Sequence, residues 1–507
     1  MIKSITRFLG IDARTPGAAK FGAMADALNV SIATGGGLAR RPALHFERTV
    51  PAASKGLFSV GDQVCVAAPT GTDISALAPD FNAFLLSGGG ALVRIHGVVV
   101  DSLGKPLLLV EVTGGGAELH LAQAMNATPA GNTLLVPGFT PLLGGLVKVG
   151  ARAWCLEDAA TYRALRWSAI DDRAFPGSLA IWSPAADPVN EARRGNFLDL
   201  GQHTAAGGKP VGITAHNGRI AAFFPYAVQL WRAGSAETDR YLEQVVDGPG
   251  LLANRCATAV GSDTMFLGRA LTIQSLEKSG LTEGAAASGP GAPVDAIVQH
   301  GLRINQTTSL PVYDSTVKPV VLHARARGEV LFCFGATVLV LGWTPGEPPR
   351  GWTRWVFPLA IDDLCEVGAI VHVRCGTSVY RLDDTQDAGD EVTAGVFTPI
   401  PVLGDILPLK VGPNLATLAR IFAISSEDLR VQAVRDGRPQ RQNDGALGTL
   451  GTTVTLPGRS PTTASVLCGW PLKSVGVRFY DAAATASWRL DELGFEIEST
   501  RTHGSES

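Results

Sequence analysis

Several features are missing from this 507-residue chain, and each absence removes a class of function. There is no basic excess: 43 Lys and Arg face 46 Asp and Glu, a formal net charge of -3. Gripping a phosphate backbone requires clustered cations, so any nucleic acid this protein meets is not expected to be held tightly. No uninterrupted run of about 20 apolar residues exists to cross a bilayer as a helix. The opening MIKSITRFLGIDARTPG carries no apolar stretch of signal-peptide length, so the expectation is a chain made in, and at first staying in, the cytoplasm. Paired cysteines are also absent. Cys65, Cys155, Cys256, Cys333, Cys365, Cys375 and Cys468 stand singly, with no C-x-x-C, and read as reduced, mostly buried small hydrophobes, not as a disulfide framework or zinc site.

Catalytic and cofactor templates fail in turn. A P-loop needs a hydroxyl after Gly-Lys and a leading glycine, but Gly207-Gly208-Lys209 is followed by Pro210 and has His203 at the leading position. Gly88-Gly89-Gly90 lacks the third dinucleotide-fingerprint glycine, which is Val93 here, and has no strand-helix-strand context. No G-x-S-x-G elbow or H-E-x-x-H helix occurs, and the nine histidines are solitary. The carboxylate pairs Asp171-Asp172, Asp362-Asp363 and Asp383-Asp384 are adjacent, so on a strand their side chains face opposite ways. The stretch Ser168 to Trp182 lacks the Asp-box spacing of propeller sialidases. No catalytic residue, cofactor or metal ligand is therefore expected.

What the chain does have is apolar material and turns: 46% hydrophobic residues with 59 Gly and 31 Pro, enough for more than one core. Helical periodicity is scarce, with short exceptions near Leu121 to Met125 and Leu364 to Glu366. Pairs of short apolar runs around a Gly or Asn turn recur instead, the pattern of β-hairpins. They lie at Gly56 to Ala68, Val211 to Trp231 (turning at Asn217-Gly218), Ala257 to Leu276, Ala326 to Trp343 and Cys365 to Leu382. Sheets too apolar to leave exposed bury themselves by closing radially, which predicts an all-β fold, an irregular β-propeller of about five to seven blades. A β-sandwich could be built from the same hairpins.

The predicted propeller spans residues 1–382. DDTQDAGDEVTAG, from Asp383 to Gly395, is acidic and lacks a core pattern, so it reads as a linker or exposed crossing loop. Residues 396–507, with extended runs in Leu415 to Val434, Thr452 to Leu456, Leu472 to Tyr480 and Trp488 to Ile497, read as a C-terminal antiparallel β-domain.

Three stretches carry a family resemblance. The first is Asn29-Val30, then Gly37-Leu38-Ala39-Arg40-Arg41-Pro42, then Gly56-Leu57-Phe58. The second runs from Leu165 to Leu276, with LRWSAID, Trp182-Ser183-Pro184, Asp187-Pro188, Gly195 to Leu200, NGRIAAFFPYAVQLW and VGSDTMFLGRALTIQSL. The third is LKSVGVRFYDAAATASWRLDELGFEIE near the C-terminus. Together they resemble the β-propeller tail nozzle, tail tube and head-to-tail hub proteins of short-tailed bacteriophages. The resemblance implies a hexameric ring in the virion tail, assembled in the host cytoplasm, docked on a portal or adaptor ring and passing DNA through a central channel without sequence-specific binding. The acidic loop from Asp383 and the stretch from Gly280 to Pro293 have no counterpart in that pattern.

Rings form when a heterologous interface closes by rotation, and irregular insertions are the natural contact points. The candidates are Gly280 to Pro293, Pro345 to Trp352 and Arg435 to Gly445. Trp343, Trp352 and Trp355 cluster at the second of these and fit either core packing or an interface. Rival readings are a glycan-binding virion protein and a propeller glycoside hydrolase.

Overall fold

A computed structural model of the chain describes residues 2–5, 7–13, 23–50, 52, 55–60, 63–69, 81–86, 92–100, 106–113, 117–123, 133–136, 141–150, 152–157, 164–167, 197–200, 208–234, 239–248, 250–277, 289–304, 312–344, 349–385, 388–410, 416–425, 429–435, 438–439, 454–456, 462–468, 474–480 and 489–499. These are mostly β-strand in several separate sheets.

Six sheets follow one another along the chain. The first has seven strands and begins with Lys55–Val60 paired to Gln63–Pro69. The second is Pro141–Val149, Arg152–Glu157, Ala164–Trp167 and Phe197–Asp199; the third is Gly212–His216, Arg219–Phe223, Ala227–Arg232 and Leu242–Asp247. The fourth is Ala257–Val260, Asp263–Leu267 and Ile273–Ser275, and the fifth starts with Val320–Ala324, Glu329–Gly342 and Gly351–Ile361. The sixth is Asp363–Val367, Ile370–Cys375 and Ser378–Asp383, and its fourth strand, Ala43–Thr49, comes from near the N-terminus.

The leading strand of each sheet lies against the leading strand of the next, and that of the sixth lies against that of the first, so the six make a closed cycle. Closure follows from burial on both faces. Trp154, Leu165, Phe224 and Trp231 fill the space between the second and third sheets. Trp355, Val373 and Tyr380 do so between the fifth and sixth. Each such side chain contributes on the order of 1.5–3 kcal/mol when removed from water.

Turn residues sit where the sequence puts them. Asn217 and Gly218 both have positive φ, as a two-residue hairpin of the primed type requires. Gly335 differs: instead of ending a strand it sits at a register shift inside the single strand Glu329–Gly342. That strand and its partner thereby outrun the sixfold cycle. Gly351–Ile361 pairs in parallel with Gly10–Ile11 and meets Ala23–Leu28, and the sheet continues through Leu403–Lys410, Ser474–Tyr480 and Leu429–Arg435.

The strands of residues 2–40 therefore pair with C-terminal strands and with the outward end of the fifth sheet. Ile2–Ile5 and Leu38–Arg40 both pair with Arg489–Ser499. One apolar cluster joins the two regions, holding Phe8, Met24, Phe266, Phe332, Trp352, Phe479 and Leu490.

Two sequence expectations about helix are corrected. Ala117–Gln123 and Asp363–Val367 are strands, each paired within its sheet. Asp363, Leu364 and Cys365 are consecutive and all buried, because this strand is covered on both faces, and that run imitates a helical apolar stripe. The helix Asp295–Leu302 turns Val298 and Leu302 inward on one face. The acidic segment also departs from a linker. Asp390–Thr393 and Val396–Thr398 form a hairpin, with Asp390 and Glu391 buried.

Candidate functional site

Charged groups inside a fold either serve chemistry or hold elements together, and their hydrogen bonds distinguish the two. Arg41 is 1% exposed in its side chain. Its Nε donates to Asn29 Oδ1 at 3.0 Å, and its Nη1 donates to Pro42 O at 2.7 Å and to Asp390 Oδ1 at 2.9 Å. Its Nη2 donates to Val356 O at 3.1 Å and to Asp390 Oδ2. All five donors of the guanidinium are thus used, and the cation lies 4.0 Å from the Phe357 ring centroid. Asn29, at φ 56°, accepts from Val356 N at 2.7 Å and donates to Pro401 O. Asp390 also accepts from Leu44 N at 2.9 Å. The group locks the closing strand Ala43–Thr49 to the fifth sheet, the N-terminal segment and the acidic hairpin.

A second charge pair spans the ring. Arg255 has φ 68°, uncommon for a non-glycine residue. It pairs with Asp363 Oδ1 at 2.7 Å and donates to Leu364 O at 2.7 Å and Leu57 O at 3.2 Å. Asp363 accepts from Leu57 N and Leu364 N, both at 2.8 Å. Arg374 adds a bond to Gly56 O. Burial pushes the Asp363 carboxyl above the ordinary range, opposed by Arg255 and these amides. One pair therefore ties the sixth sheet to the first and to the start of the fourth.

Histidines repeat this role. His323 Nδ1 lies 3.0 Å from Ala259 O, so that nitrogen carries the proton and links the fifth sheet to the fourth. Its Nε2 is buried without a partner among the described residues. His216 Nδ1 bonds Thr264 Oγ1 at 3.2 Å, whose hydroxyl donates to Ala215 O, linking the third sheet to the fourth. Burial lowers both imidazoles below their usual value. On the closing strand, His45 pairs with Glu391 at 2.9 Å and Glu47 with His372 at 2.8 Å.

The thiols follow the same logic. Cys256, Cys333 and Cys375 are free thiols, and these three and Cys365 are buried. Burial raises Cys256 and Cys375 to about 12 and Cys333 well above its normal value, which keeps them protonated and unreactive. Among the described residues no group of three His, Cys, Asp or Glu converges as a metal site would need, and no helix is long and apolar enough to cross a membrane.

A cavity of about 370 Å³ lies at the seam between the N-terminal strands and the fourth and fifth sheets. Its wall includes Asp12, Asp263, Met265, Pro293, Trp343 and Trp352.

The sequence candidates fall unevenly. Gly280, Pro345 and Gly445 lie outside the described residues. Arg435 ends a strand paired to Arg438–Pro439 and Ser474–Tyr480. Pro293 borders the cavity and accepts from Ala13 N at 2.8 Å. Trp352 is 3% exposed, donates from Nε1 to Pro290 O at 2.9 Å and stacks at a tilt on Phe332, while Trp355 is fully buried and donates to Val30 O. Both tryptophans pack in the core of the chain. Sequence reading did not find Arg41 with Asp390, because Arg41-Pro42 and the acidic segment that holds Asp390 lie 349 positions apart.

No known protein-family profile matches the chain, and no curated protein matches its sequence. Solved structures do. BamB from Moraxella catarrhalis is 9% identical, with 68% of this chain and 98% of that one covered at a TM-score of 0.30. Virginiamycin B lyase from Staphylococcus aureus is 9% identical, covering 76% and 99% at 0.29. Exo-beta-1,3-galactanase from Phanerochaete chrysosporium is 10% identical, covering 73% and 98% at 0.22. Likeness at this level carries no argument about activity, which leaves the chain's own geometry to speak.

Proposed function

We propose that this chain is a non-enzymatic structural subunit of a bacteriophage tail, a ring component of the nozzle, tube or hub kind. In this reading the six-sheet cycle of residues 43–382 is a six-bladed β-propeller whose last blade is completed by the strand Ala43–Thr49. A second β-unit combines residues 1–42 with the strands between Leu403 and Ser499. Six copies would form a ring that docks on a portal or adaptor ring and lets DNA pass.

The observation that carries the reading is where the buried charges go. Arg41, Arg255, Asp363, Arg374, Asp390 and Glu391 each bond to a neighbouring strand or turn. Groups so engaged cannot move protons to a substrate without loosening the fold. The motifs behind the tail resemblance, Asn29, Arg41-Pro42 and Gly56-Leu57, also coincide with these joints. A near-neutral chain with a net charge of -3 suits a conduit along which a polyanion must slide.

Size-exclusion chromatography with light scattering, followed by negative-stain imaging, tests it: a hexameric ring is expected. A monodisperse monomer that hydrolyses oligosaccharides would overturn it.

A further inference from the structure

We propose that the cavity at the seam is a binding site for a neutral hydroxylated ring of mono- or disaccharide size, a function beyond the tail-ring reading. Its volume of about 370 Å³ falls within the roughly 300–1,000 Å³ usual for small-ligand pockets.

The walls bring together three chemistries that few ligands satisfy at once. Trp343 and Trp352, with Pro290 and Pro349, make the surface mostly apolar. Asp12 and Asp263 add carboxylates, and no Lys, Arg or His is among the described residues that line it. The indole Nε1 of Trp343 is buried with no acceptor among the described residues. Neighbouring Arg350 is directed elsewhere, with Nη1 donating to Thr344 Oγ1 and Nη2 to Gly328 O.

Asp263 is held in place by its own bonds. Its Oδ1 accepts from Thr264 N at 2.6 Å and Glu277 N at 2.9 Å, and its Oδ2 accepts from Ser275 Oγ at 2.5 Å. A carboxylate offers about four acceptor positions, so these three fix its orientation and leave capacity on Oδ2. A hydrocarbon would leave the Trp343 N–H unsatisfied, and an anion would be repelled by the Asp263 carboxylate. An organic cation suits the carboxylates but offers the indole N–H no acceptor. A sugar ring supplies hydroxyl donors for Asp263 and Asp12, a hydroxyl or ring oxygen for Trp343, and a C–H face for the indoles.

The full-length protein is titrated with glucose, galactose, N-acetylglucosamine and lactose, with tetramethylammonium as a separate arm, by isothermal calorimetry and saturation-transfer NMR. Saturable binding of at least one sugar is expected. Trp343→Phe, which keeps a ring and removes the N–H, is expected to weaken it about five- to tenfold, the worth of one hydrogen bond. Should that variant fail to fold, Asp12→Asn on the wall is expected to weaken the same sugar. No saturable sugar binding, undiminished binding in the variant that folds, or binding of tetramethylammonium in place of sugars would overturn the proposal.

Discussion

Replacing Arg41 by methionine removes one cation and five hydrogen bonds from a site that is 1% exposed on the arginine side and 2% on the Asp390 side. The stem volume is largely kept, so the cost is electrostatic. Asp390 retains only the bond from Leu44 N among those described, and the carbonyls of Pro42 and Val356 lose their guanidinium donors. Breaking a buried pair from one side costs about 3–5 kcal/mol, because a charge is left without compensation. Against a typical domain stability of about 5–15 kcal/mol, that is a large share. Arg41→Lys keeps the charge but not the planar fork, so a smaller loss of about 2 kcal/mol is expected. Removing both partners, Arg41→Met with Asp390→Leu, should cost clearly less than the two single changes added together, since no unpaired charge remains. Urea unfolding followed by tryptophan fluorescence reads the energies, and hydrogen exchange of the Ala43–Thr49 amides reads whether the closing strand is released. An Arg41→Met protein within about 0.5 kcal/mol of wild type, with unchanged exchange on that strand, would refute the argument.

Other consequences are checked more briefly. Gly10→Ala places a Cβ 2.3 Å from Trp352 N at a φ of +77°, so the parallel pairing of Gly10 with Trp352 should be lost and the N-terminal segment should become cleavable in limited proteolysis. Iodoacetamide labelling with peptide mapping should leave Cys256, Cys333, Cys365 and Cys375 unmodified in the native protein and label them in urea. His323 and His216 have folded pKa values below the ordinary one, so the unfolded chain takes up their protons first. Their contribution to stability is complete above about pH 6.5 and is lost as the pH falls toward the depressed folded values. His323→Phe should therefore be less stable at pH 8 by about 1 kcal/mol, for the bond to Ala259 O, yet lose less stability between pH 7 and 5. Thermal melts across that range that run parallel to wild type would contradict it.

Local pattern was enough to find most hairpins. The turns at Asn217-Gly218, Gly261-Ser262, Gly368 and Gly376 follow from alternating apolar runs and residues that accept positive φ, and strands flank each of them. What local pattern could not show is which strand closes which sheet. The partner of Ser378–Asp383 lies more than 300 residues earlier in the chain, at Ala43–Thr49, and a pairing of that span leaves no periodic trace in either segment. The same limit misplaced Asp383 to Gly395. Five acidic residues with few apolar ones look solvated, and nothing nearby in sequence indicates that Asp390 meets Arg41, 349 positions away. The helix Asp295–Leu302 escaped because eight residues give barely two turns of periodicity, and its stability rests on packing against the strand Glu329–Gly342.

The cavity was hidden for a related reason, and the reason bears on what the second β-unit does. Its wall draws on Asp12 from the N-terminal segment, Asp263 from the fourth sheet and Trp343 and Trp352 from the fifth, none of them within twelve residues of a wall residue from another sheet or segment except through the fold. The strand Gly351–Ile361 belongs both to the sixfold cycle and to the sheet that continues through Gly10–Ile11. A change in how the N-terminal strands seat against Trp352 must therefore alter both the cavity and the end of the fifth sheet together. Gly351 enforces this coupling: at φ +122° a Cβ there would lie 2.1 Å from Leu9 O, so the two backbones are in contact with no side chain between them to absorb a shift. Two backbones in such contact move together or separate, so loosening the N-terminal strands should open the cavity and the end of the fifth sheet at once.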